Sequence, residues 1–527
     1  MDAAAGGVAR RYHEATKHSF DSVRSKRHPP DPARAPQPFK RYRGGRATPL
    51  PRELSRHDVP ALDALIGRGA ERRTPLELAE LARLLRFGAG VVRTRRLPSG
   101  ETFHFRTYSS AGALYPLELY VGSAELPGLP AALYHFDPLR LELRRLRAAD
   151  ARGALASLCD RPSLREAGAA LVVSGIIHRT AWKYGERGLR HLFWDAGTMA
   201  ANLLALAASA GLDAELVTGF VDERLSELLG VDGDAEAPLF VVGIGRARRA
   251  EPPRTLAALE AEPEPSPSDE PPFPLALELQ AASRLADVEE LRAWRRRAAA
   301  RPAGGSHGTG DAGPTASDAG PLAGDAGRLA GEAGRLSRDT VEDVILRRGS
   351  ARAFARRGVP AEELAAILGR AMRRIPVDVP APSELRLIAN RLDGLDPGAY
   401  RFADGRFDLL GAGSLREAAG YLCLEQALGA QAAATHFLLA DLDAVLGELG
   451  ERGYRAAQLD AGVRIGRVYL GAYAQCLGAS GLTFYDDDVT TFLAPGLSPM
   501  TCVVVGVDGR REALLRRRAR MLGHASR

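Results

Sequence analysis

Cysteine and long apolar runs are scarce in this sequence, and each scarcity excludes a class of protein. The 527 residues include only four cysteines, and none stands in a CxxC pair or a Cys/His spacing, so the sequence predicts neither a disulfide framework nor a metal site. No apolar run approaches the roughly 18 residues of a membrane span, and the N-terminal residues lack the apolar segment of a secretory signal. We therefore predict a cytoplasmic protein without a membrane partner.

A dominant sign of charge is also missing. The chain has 71 Lys and Arg against 65 Asp and Glu, for a net charge of +6, and part of the arginine excess falls in the terminal tract RRRAR at 516–520. Scattered arginine of this kind is typical of a solvated surface, so we predict no nucleic-acid partner. A GxGxxG fingerprint after a strand is missing as well, and the sequence therefore does not predict a tightly held NAD(P)H.

A change of composition divides the chain between about residues 250 and 340. It begins with EPEPSPSDEPPFP, continues through one isolated amphipathic helix near 275–299, and ends in GGSHGTGDAGPTASDAGPLAGDAGRLAGEAGRL, which has too little apolar bulk to pack. We predict an N-terminal extension (1–60), a first domain (61–250), a largely disordered linker with one helix (251–339) and a second domain (340–527).

A motif in the first half of the chain recurs in the second half. YGERGLR followed by DAG, at 184–197, returns as LGERGYR followed by DAG, at 449–462, with a constant offset (450 − 185 = 265; 460 − 195 = 265). Each half also ends in an apolar strand, LFVVGIG at 239–245 and CVVVGVDG at 502–509. We interpret the chain as two fused copies of one α+β domain, with the long apolar helix of each copy buried at the interface between them.

The Lys-Tyr pair at 183–184 belongs to one copy only. With the offset of 265, Lys183 and Tyr184 correspond to Glu448 and Leu449, so the pair is an addition to a framework that both copies share. One interpretation is catalytic, although a lysine that accepts a proton at neutral pH needs burial or a nearby cation. The alternative is a helix-entry pair whose stems pack on the interface.

Two further segments each occur in one copy alone. RTYSSAGALYPLELYV, at 106–121, contains a turn whose hydroxyls and amides can face a ligand, and the matching positions around 376–389 lack its serines and glycine. Conversely, RRGSARAF at 347–354 brackets a hydroxyl with two guanidiniums, as in a phosphate clamp or a solvated helix cap, whereas the first copy has the irregular GRGAERR at 67–73. These complementary losses predict one ligand site spanning both halves, with the candidate residues Ser109, Ser110, Ala111, Gly112, Arg348, Ser350 and Arg352.

Residues that occur in both copies are expected to have structural roles. Glu186, Arg187 and Arg190 recur at the offset of 265, which predicts ion pairing or helix capping at a shared turn. Asp195 recurs as Asp460, and we interpret it as structural for the same reason.

Three longer segments together resemble the SagB-type dehydrogenases, FMN-dependent relatives of the nitroreductases. They are YHEATKHSFDSVRSKRHPPDPARAPQPFKRY, SSAGALYPLELYV and KYGERGLRHLFWDAGTMAANLL. The resemblance covers about residues 10–250, and a weaker nitroreductase-like copy covers 340–510. It implies an α+β fold in which two nitroreductase-like domains form a pseudo-dimer within one chain, with FMN at their interface. A further homodimer of the chain stays open.

The resemblance also implies a reaction and the residues that carry it. Members oxidise peptide thiazolines or oxazolines to thiazoles or oxazoles, beside a cyclodehydratase partner, on a peptide or carrier-bound substrate. The phosphate would lie on Arg348, Ser350 and Arg352, the 109–112 turn would reach the same flavin, and Lys183 and Tyr184 would be catalytic. The alternatives are an NAD(P)H-dependent reductase of nitroaromatics or quinones, which needs no Lys-Tyr pair, and a binding module without flavin.

The composition of the linker generates a first test. Residues of about 300–338 have almost no apolar side chains to offset an ordering entropy of about 1–2 kcal/mol per residue, so limited proteolysis should cut there first. The two fragments should remain associated on size-exclusion chromatography. First cleavage within either predicted domain would contradict the linker assignment.

Overall fold

The computed structural model describes residues 7–25, 28–69, 75–98, 100–251, 256–264, 273–300 and 337–510. Among these residues no helix is both long and apolar enough to span a membrane, and no group of three or more His, Cys, Asp or Glu side chains is placed to hold a metal ion. Much of the predicted linker (301–336) lies outside the described residues, as do 70–73 of the GRGAERR segment and the RRRAR tract.

A seven-stranded antiparallel sheet forms the centre of the first part of the chain. The elements of this part are α1 (Gly7–Ala15), α2 (Phe20–Ser25), β1 (Tyr42–Gly44), β2 (Ala47–Pro49), α3 (Ala61–Ala64), α4 (Leu78–Ala89), β3 (Val91–Arg96), β4 (Thr102–Arg106), β5 (Leu117–Ser123), β6 (Ala132–Asp137), β7 (Glu142–Arg147), α5 (Arg152–Leu158), β8 (Ala169–Ile176), α6 (Ile177–Tyr184), α7 (Gly188–Ser209), β9 (Ala214–Val217), α8 (Asp222–Leu229), β10 (Glu236–Ile244) and β11 (Ala261–Pro263). The strand order is β2-β7-β6-β5-β8-β10-β9. The apolar strand predicted at 239–245 is confirmed as the buried strand β10, which pairs with the buried strand β8.

Two helices, α9 (Pro274–Ala282) and α10 (Val288–Ala299), stand where the sequence predicts one isolated helix at 275–299. The prediction was wrong because Asp287 begins a new helix, its carboxylate accepting a hydrogen bond from the Glu290 amide. The helices are also packed against the rest of the protein, since Trp294 is 1% exposed and its Nε1 donates to the Leu449 carbonyl at 3.0 Å. This part of the predicted linker is therefore integral to the fold.

A six-stranded antiparallel sheet in the second part of the chain repeats the strand order of the first. The elements are α11 (Val341–Arg347), β12 (Val359–Pro360), α12 (Ala361–Ala371), β13 (Glu384–Ala389), β14 (Leu392–Asp393), β15 (Gly398–Ala403), β16 (Arg406–Ala412), α13 (Arg416–Leu422), α14 (Ala427–Gln431), β17 (Ala434–Ala440), α15 (Leu442–Ala474), β18 (Gly478–Leu482), α16 (Asp486–Leu493) and β19 (Ser498–Gly506). The order β16-β15-β13-β17-β19-β18 matches β7-β6-β5-β8-β10-β9 of the first sheet.

The long helices α7 and α15 cross where both lack side chains. A Cβ atom on Gly197 would lie 2.3 Å from the backbone carbonyl carbon of Gly462, and one on Gly462 would lie 2.9 Å from the carbonyl oxygens of Phe193 and Trp194. Nearly every residue of α7 is buried. The prediction of a helix buried between the halves is therefore confirmed, and glycine permits the close approach of the two backbones.

Ion pairs beside this crossing link each half to the other. The guanidiniums of Arg187 and Arg190 contact the two carboxylate oxygens of Asp486 at 2.8 and 2.7 Å, and all three side chains are buried. Burial raises the pKa of Asp486, but the two arginines more than offset this and hold it well below its ordinary value. The counterparts in the second half make the mirror-image contacts, with Arg452 and Arg455 on Asp222.

The glutamate of the recurring motif caps a helix in both halves. Glu186 accepts hydrogen bonds from the amides of Leu275 and Ala276 at the start of α9. Its counterpart Glu451 accepts from the amides of Val8 and Ala9 at the start of α1. The prediction of ion pairing or capping by the motif is confirmed in both forms, and negative charge at a helix N-terminus favours the contact.

The helix crossing predicts opposite effects of one substitution at two positions of α15. Gly462→Ala places a methyl against the backbone of α7 and should lower the free energy of unfolding by about 1–3 kcal/mol, because the helices must move apart. Gly447→Ala is the matched control, since a Cβ there meets no atom within 4 Å, and helix propensity should make it neutral or stabilising. Denaturant unfolding measures both variants, and equal stabilities would contradict the crossing.

Candidate active site

The serine-rich turn lies just before the central strand β5 and is held in a strained conformation. Gly112, Ala113 and Tyr115 have φ of 62°, 55° and 49°, and only the first of these is a residue that favours the left-handed region. The turn is fixed on one side by Arg106, which is 2% exposed and donates to the carbonyls of Ala89 and Leu117. Strain of this kind is kept where the surrounding structure imposes it, often at a ligand site.

Lys183 and Tyr184 lie directly against this turn. A Cβ atom on Gly112 would be 2.9 Å from Tyr184 Oη and 3.2 Å from Lys183 Nζ, so the glycine leaves the space that the two polar groups occupy. The pair stands at the C-terminal end of α6, whose last residue is Tyr184 and whose C-cap is Gly185. The structure therefore brings together two segments that the sequence singles out more than 70 residues apart, as 184 − 112 = 72.

The surroundings of the Lys-Tyr pair favour the neutral forms of the Tyr184 and His191 rings. The Tyr184 ring stacks on the His191 ring with centroids 4.1 Å apart, and His191 meets the edge of Trp194 at 4.5 Å. Burial, and then the charge of Asp195, raise the pKa of Tyr184, while burial and then Arg187 lower the pKa of His191 well below its ordinary value. Lys183 is exposed.

Asp195, on α7, fixes the serine-rich turn by hydrogen bonds to both of its carboxylate oxygens. The Ser110 hydroxyl donates to Asp195 Oδ2 at 2.5 Å, and the Ala111 amide donates to Oδ1 at 2.9 Å. Ser110 Oγ in turn accepts a hydrogen bond from the Tyr115 amide at 2.9 Å. Burial raises the pKa of Asp195 to about 7, although the bonds from Ser110 and Ala111 act in the opposite direction.

The counterpart of Asp195 is held differently. Asp460 accepts bonds from both the amide and the hydroxyl of Ser383. A serine before β13 therefore does persist in the second half, and the expectation that the matching positions around 376–389 have lost both serines was wrong. Arg464 also pairs with Asp460 at 2.7 Å. At the position matching Arg464 the first half has the buried Met199 (464 − 265 = 199), and Asp195 forms no ion pair among the described residues.

Arg348 of the second half reaches the same turn of the first half. It donates to the carbonyls of Thr107 and Tyr108 at 3.2 and 2.9 Å, so part of its hydrogen-bonding capacity is engaged by backbone. Ser350 and Arg352 follow on the same segment and are exposed. The structure thus brings Arg348 to the backbone just before Ser109–Gly112 and leaves Ser350 and Arg352 exposed on the same segment. A ligand contact shared by these residues stays a prediction.

A cavity of about 770 Å³ occupies the corresponding position on the other side of the helix crossing. It lies beside Gly67 and Gly69, the described end of the irregular GRGAERR segment, and beside Pro376 of the second half. Its cationic side chains are Arg373, Arg374 and Arg467. This location has neither an Arg-x-Ser-x-Arg segment nor a Lys-Tyr pair, so the two sides of the crossing differ in chemistry.

Sequence reasoning missed the special environment of Asp195. Its recurrence as Asp460 suggested a shared structural role, but the residue four positions later, Met199 against Arg464, was the signal that separates the two. Asn202 lies on the same helix, and its Nδ2 donates to the Thr107 carbonyl at 3.1 Å.

Comparison with known proteins agrees with the fold of the first part of the chain. The model of the Nitroreductase family matches residues 72–246. A protein of Methanocaldococcus jannaschii named as a nitroreductase is 31% identical over 193 residues, which are 36% of this chain and 92% of the relative. The microcin B17-processing protein McbC of Escherichia coli is 29% identical over 146 residues, 27% of this chain and 54% of McbC.

A solved structure extends the likeness to nearly the whole chain. The structure, described as a nitroreductase from Anabaena variabilis, has a TM-score of 0.70 and 23% identity, and the match covers 95% of this chain and 99% of that chain. At this identity the likeness shows the fold alone. The chain belongs to the nitroreductase family, a family of oxidoreductases.

The environment of Asp195 predicts how stability depends on pH. Because its pKa in the native state is about 7 against an ordinary 3.8, ionisation destabilises the fold increasingly as the pH rises through this interval. Asp195→Asn removes that cost. Its free energy of unfolding relative to the parent should therefore increase by about 2–3 kcal/mol when the pH is raised from 5 to 8. Denaturant unfolding at both pH values measures the gain. Asp460→Asn, which loses the ion pair to Arg464, should be less stable than the parent at both.

Proposed function

We propose that this protein is an FMN-dependent dehydrogenase that oxidises azoline rings of a peptide to thiazoles or oxazoles. The observation that carries the proposal is the convergence of Lys183 Nζ and Tyr184 Oη on Gly112, because the fold of the second half forms without such a pair. The similarity to a microcin-processing protein supports it. The substrate is a peptide or carrier-bound azoline, and a cyclodehydratase that makes azoline rings is the expected partner.

The residues at the site fit a flavin mononucleotide. The exposed Ser350 and Arg352 offer a hydroxyl and a guanidinium to a phosphate, and neither Arg348 nor Arg352 is engaged in an ion pair with a described carboxylate. On the facing turn the backbone of Gly112 is exposed. Ser110 Oγ, which donates to Asp195 and accepts from the Tyr115 amide, keeps one lone pair for a ligand donor.

The side chains of the pair would orient the substrate. Aromatisation removes a hydride and a proton from the azoline ring, and bound FMN would supply the hydride acceptor, with dioxygen as the final oxidant. Lys183, exposed beside the turn, would hold a carbonyl oxygen of the peptide. Tyr184, whose phenol stays neutral because burial raises its pKa, would donate a hydrogen bond to the ring or its carbonyl.

An NAD(P)H-dependent reductase of nitroaromatics or quinones is the alternative function of the same fold. The relative from Methanocaldococcus jannaschii favours it. The two functions make different demands on this chain, because a small-molecule reductase needs the flavin contacts but not Lys183 or Tyr184. Variants of the pair therefore discriminate between them.

We further propose that the two halves derive from one duplicated domain, so that a single chain is a pseudo-dimer with one flavin. The matching strand orders and the mirror-image ion pairs on Asp222 and Asp486 support the duplication. One flavin is expected because the cavity across the helix crossing lacks the Arg-x-Ser-x-Arg segment.

The phosphate contact is tested with arginines of one segment. Arg352→Ala should weaken FMN binding about 10- to 100-fold, since a charge-assisted hydrogen bond contributes about 1.5–3 kcal/mol, without changing stability, because the side chain is exposed. Arg356→Ala, a loss of the same charge at another exposed position of the segment, is the matched control. Fluorescence titration of the apoprotein with FMN, which also gives the stoichiometry, measures both. Equal effects of the two substitutions would contradict the assignment of Arg352 to the phosphate. Two flavins per chain would contradict the single flavin site.

The Lys-Tyr pair is tested by the rate of azoline oxidation. Lys183→Ala and Tyr184→Phe should lower it by about 10²–10³, the range for a lost hydrogen-bond donor at the reacting group, while FMN stays bound and the melting temperature is unchanged. FMN binding and the melting temperature should be unchanged because Lys183 is exposed and a phenylalanine at position 184 can still stack on His191. Glu448→Ala, the change at the matching position of the second half, is the control. Parental rates in both variants would favour the alternative reductase.

A further inference from the structure

We propose that Asp195 is a positioning residue of the site that, through the Ser110 hydroxyl, takes up the proton released when the substrate is oxidised. The proposal deepens the proposed function and rests on it. It assigns a role to a carboxylate that lies behind the turn and that recurs in the second half in a different setting.

The geometry provides a continuous path from the turn to the carboxylate. Ser110 Oγ is 2.5 Å from Asp195 Oδ2, and Ser110 is part of the half-buried turn that Lys183 and Tyr184 face across Gly112. The second carboxylate oxygen accepts the Ala111 amide, which fixes the orientation of the group. A short hydrogen bond of this kind lets a hydroxyl pass on one proton as it receives another.

The other titratable groups at the turn are poorly suited to accept a proton. Burial raises the pKa of Tyr184, so its phenol is neutral and a weak acceptor. Burial lowers the pKa of His191, and both of its ring nitrogens are buried without a hydrogen-bond partner, which leaves no route to solvent or to the turn. Lys183 is exposed, and among the described residues no hydrogen bond or ion pair joins its amine to Ser110 or Asp195.

No described cation neutralises Asp195. The titratable groups that face it are Tyr108 and Tyr115 from the turn and Tyr184 from α6, and the charge of Asp195 contributes to the raised pKa of each. With all three phenols neutral, burial dominates and sets the pKa of Asp195 at about 7. An acceptor whose pKa lies near the working pH is the most effective general base.

The proton step balances without a further reactant. The substrate ring transfers a proton to Ser110 Oγ, the Ser110 O–H bond breaks as its proton passes to Asp195 Oδ2, and the ring electrons leave as the hydride that the bound flavin would accept. One proton and one hydride leave the ring, and Asp195 becomes a neutral acid. The proton returns to solvent by the reverse transfer through Ser110 after the product has left.

The second half contains the same carboxylate in a form that cannot do this. Asp460 also holds a serine, but Arg464 pairs with it and stabilises the ionised state. With Met199 in place of that arginine, the first half has lost the charge that would lock Asp195 as a carboxylate. Asp195 and Asp460 thus differ in the ion pair with Arg464, so variants of Asp460 are the control for variants of Asp195.

Infrared difference spectroscopy of the flavin-loaded protein tests the titration directly. Between pH 5 and pH 9 we expect one C=O band of a protonated carboxylic acid with a midpoint near 7, present in the parent and in Asp460→Asn and missing in Asp195→Asn. In Met199→Arg, which introduces the cation of the second half, the midpoint should fall by at least one pH unit. A neutral-range band that persists in Asp195→Asn overturns the proposal.

Anaerobic single-turnover oxidation of an azoline peptide tests the transfer. The parent rate should rise with pH to a plateau above about 7, as the acceptor becomes ionised. Asp195→Asn should be slower by about 10² at pH 8 and lose this pH step, and Ser110→Ala should lose the rate while keeping the infrared band. A purely structural Asp195 would change stability or flavin affinity and leave the pH step in place, which would overturn the proposal.

The same measurements distinguish a failure of the Asp195 role from a failure of the dehydrogenase function. If the parent oxidises azolines but Asp195→Asn keeps its rate and pH step, the role of Asp195 is wrong and the proposed function stands. If the parent reduces nitroaromatics and oxidises no azoline peptide, the proposed function is wrong, and the proton uptake through Ser110 is wrong with it.

Discussion

The structure depends on two buried ion-pair clusters that tie each half of the chain to the other. Two arginines of the α6–α7 junction hold Asp486 at the start of α16, and two arginines of α15 hold Asp222 at the start of α8. Breaking one partner would leave uncompensated charge in the interior, at a cost of about 3–5 kcal/mol. Because these contacts flank the glycine crossing of α7 and α15, they fix the register of the two helices.

The register of α7 in turn determines the candidate site. Arg187 and Arg190 anchor the start of this helix, and Asp195 follows about one and a half turns later, under the turn that precedes β5. The same anchoring places α6, and with it Lys183 and Tyr184, against Gly112. Arg348 closes the arrangement from the second half by binding the carbonyls next to the turn. Residues from four segments thus meet beside one close helix crossing.

Residues that are equivalent in both halves have structural roles, whereas residues found in one half only are the candidates for the chemistry. The capping glutamates and paired arginines are equivalent in both halves, which is what a structural role requires. The Lys-Tyr pair, the serine-rich turn and the Arg-x-Ser-x-Arg segment each occur once, and they converge at one side of the crossing. The change from Arg464 to Met199 belongs to the same pattern, since it alters the charge around an otherwise shared carboxylate.

The sequence by itself determined the two-part plan, the apolar strands, the buried helices and the segments that meet at the site, because periodicity, a constant offset and complementary losses are properties of residue order. It missed the break that makes α9 and α10 two helices, since a cap such as Asp287 competes with a continuous helical pattern. Only the tertiary structure decided that Lys183 is exposed and that Asp195 is buried with no cation paired to it among the described residues. Burial and charge pairing arise from packing between distant segments, and the protonation of a carboxylate follows from them.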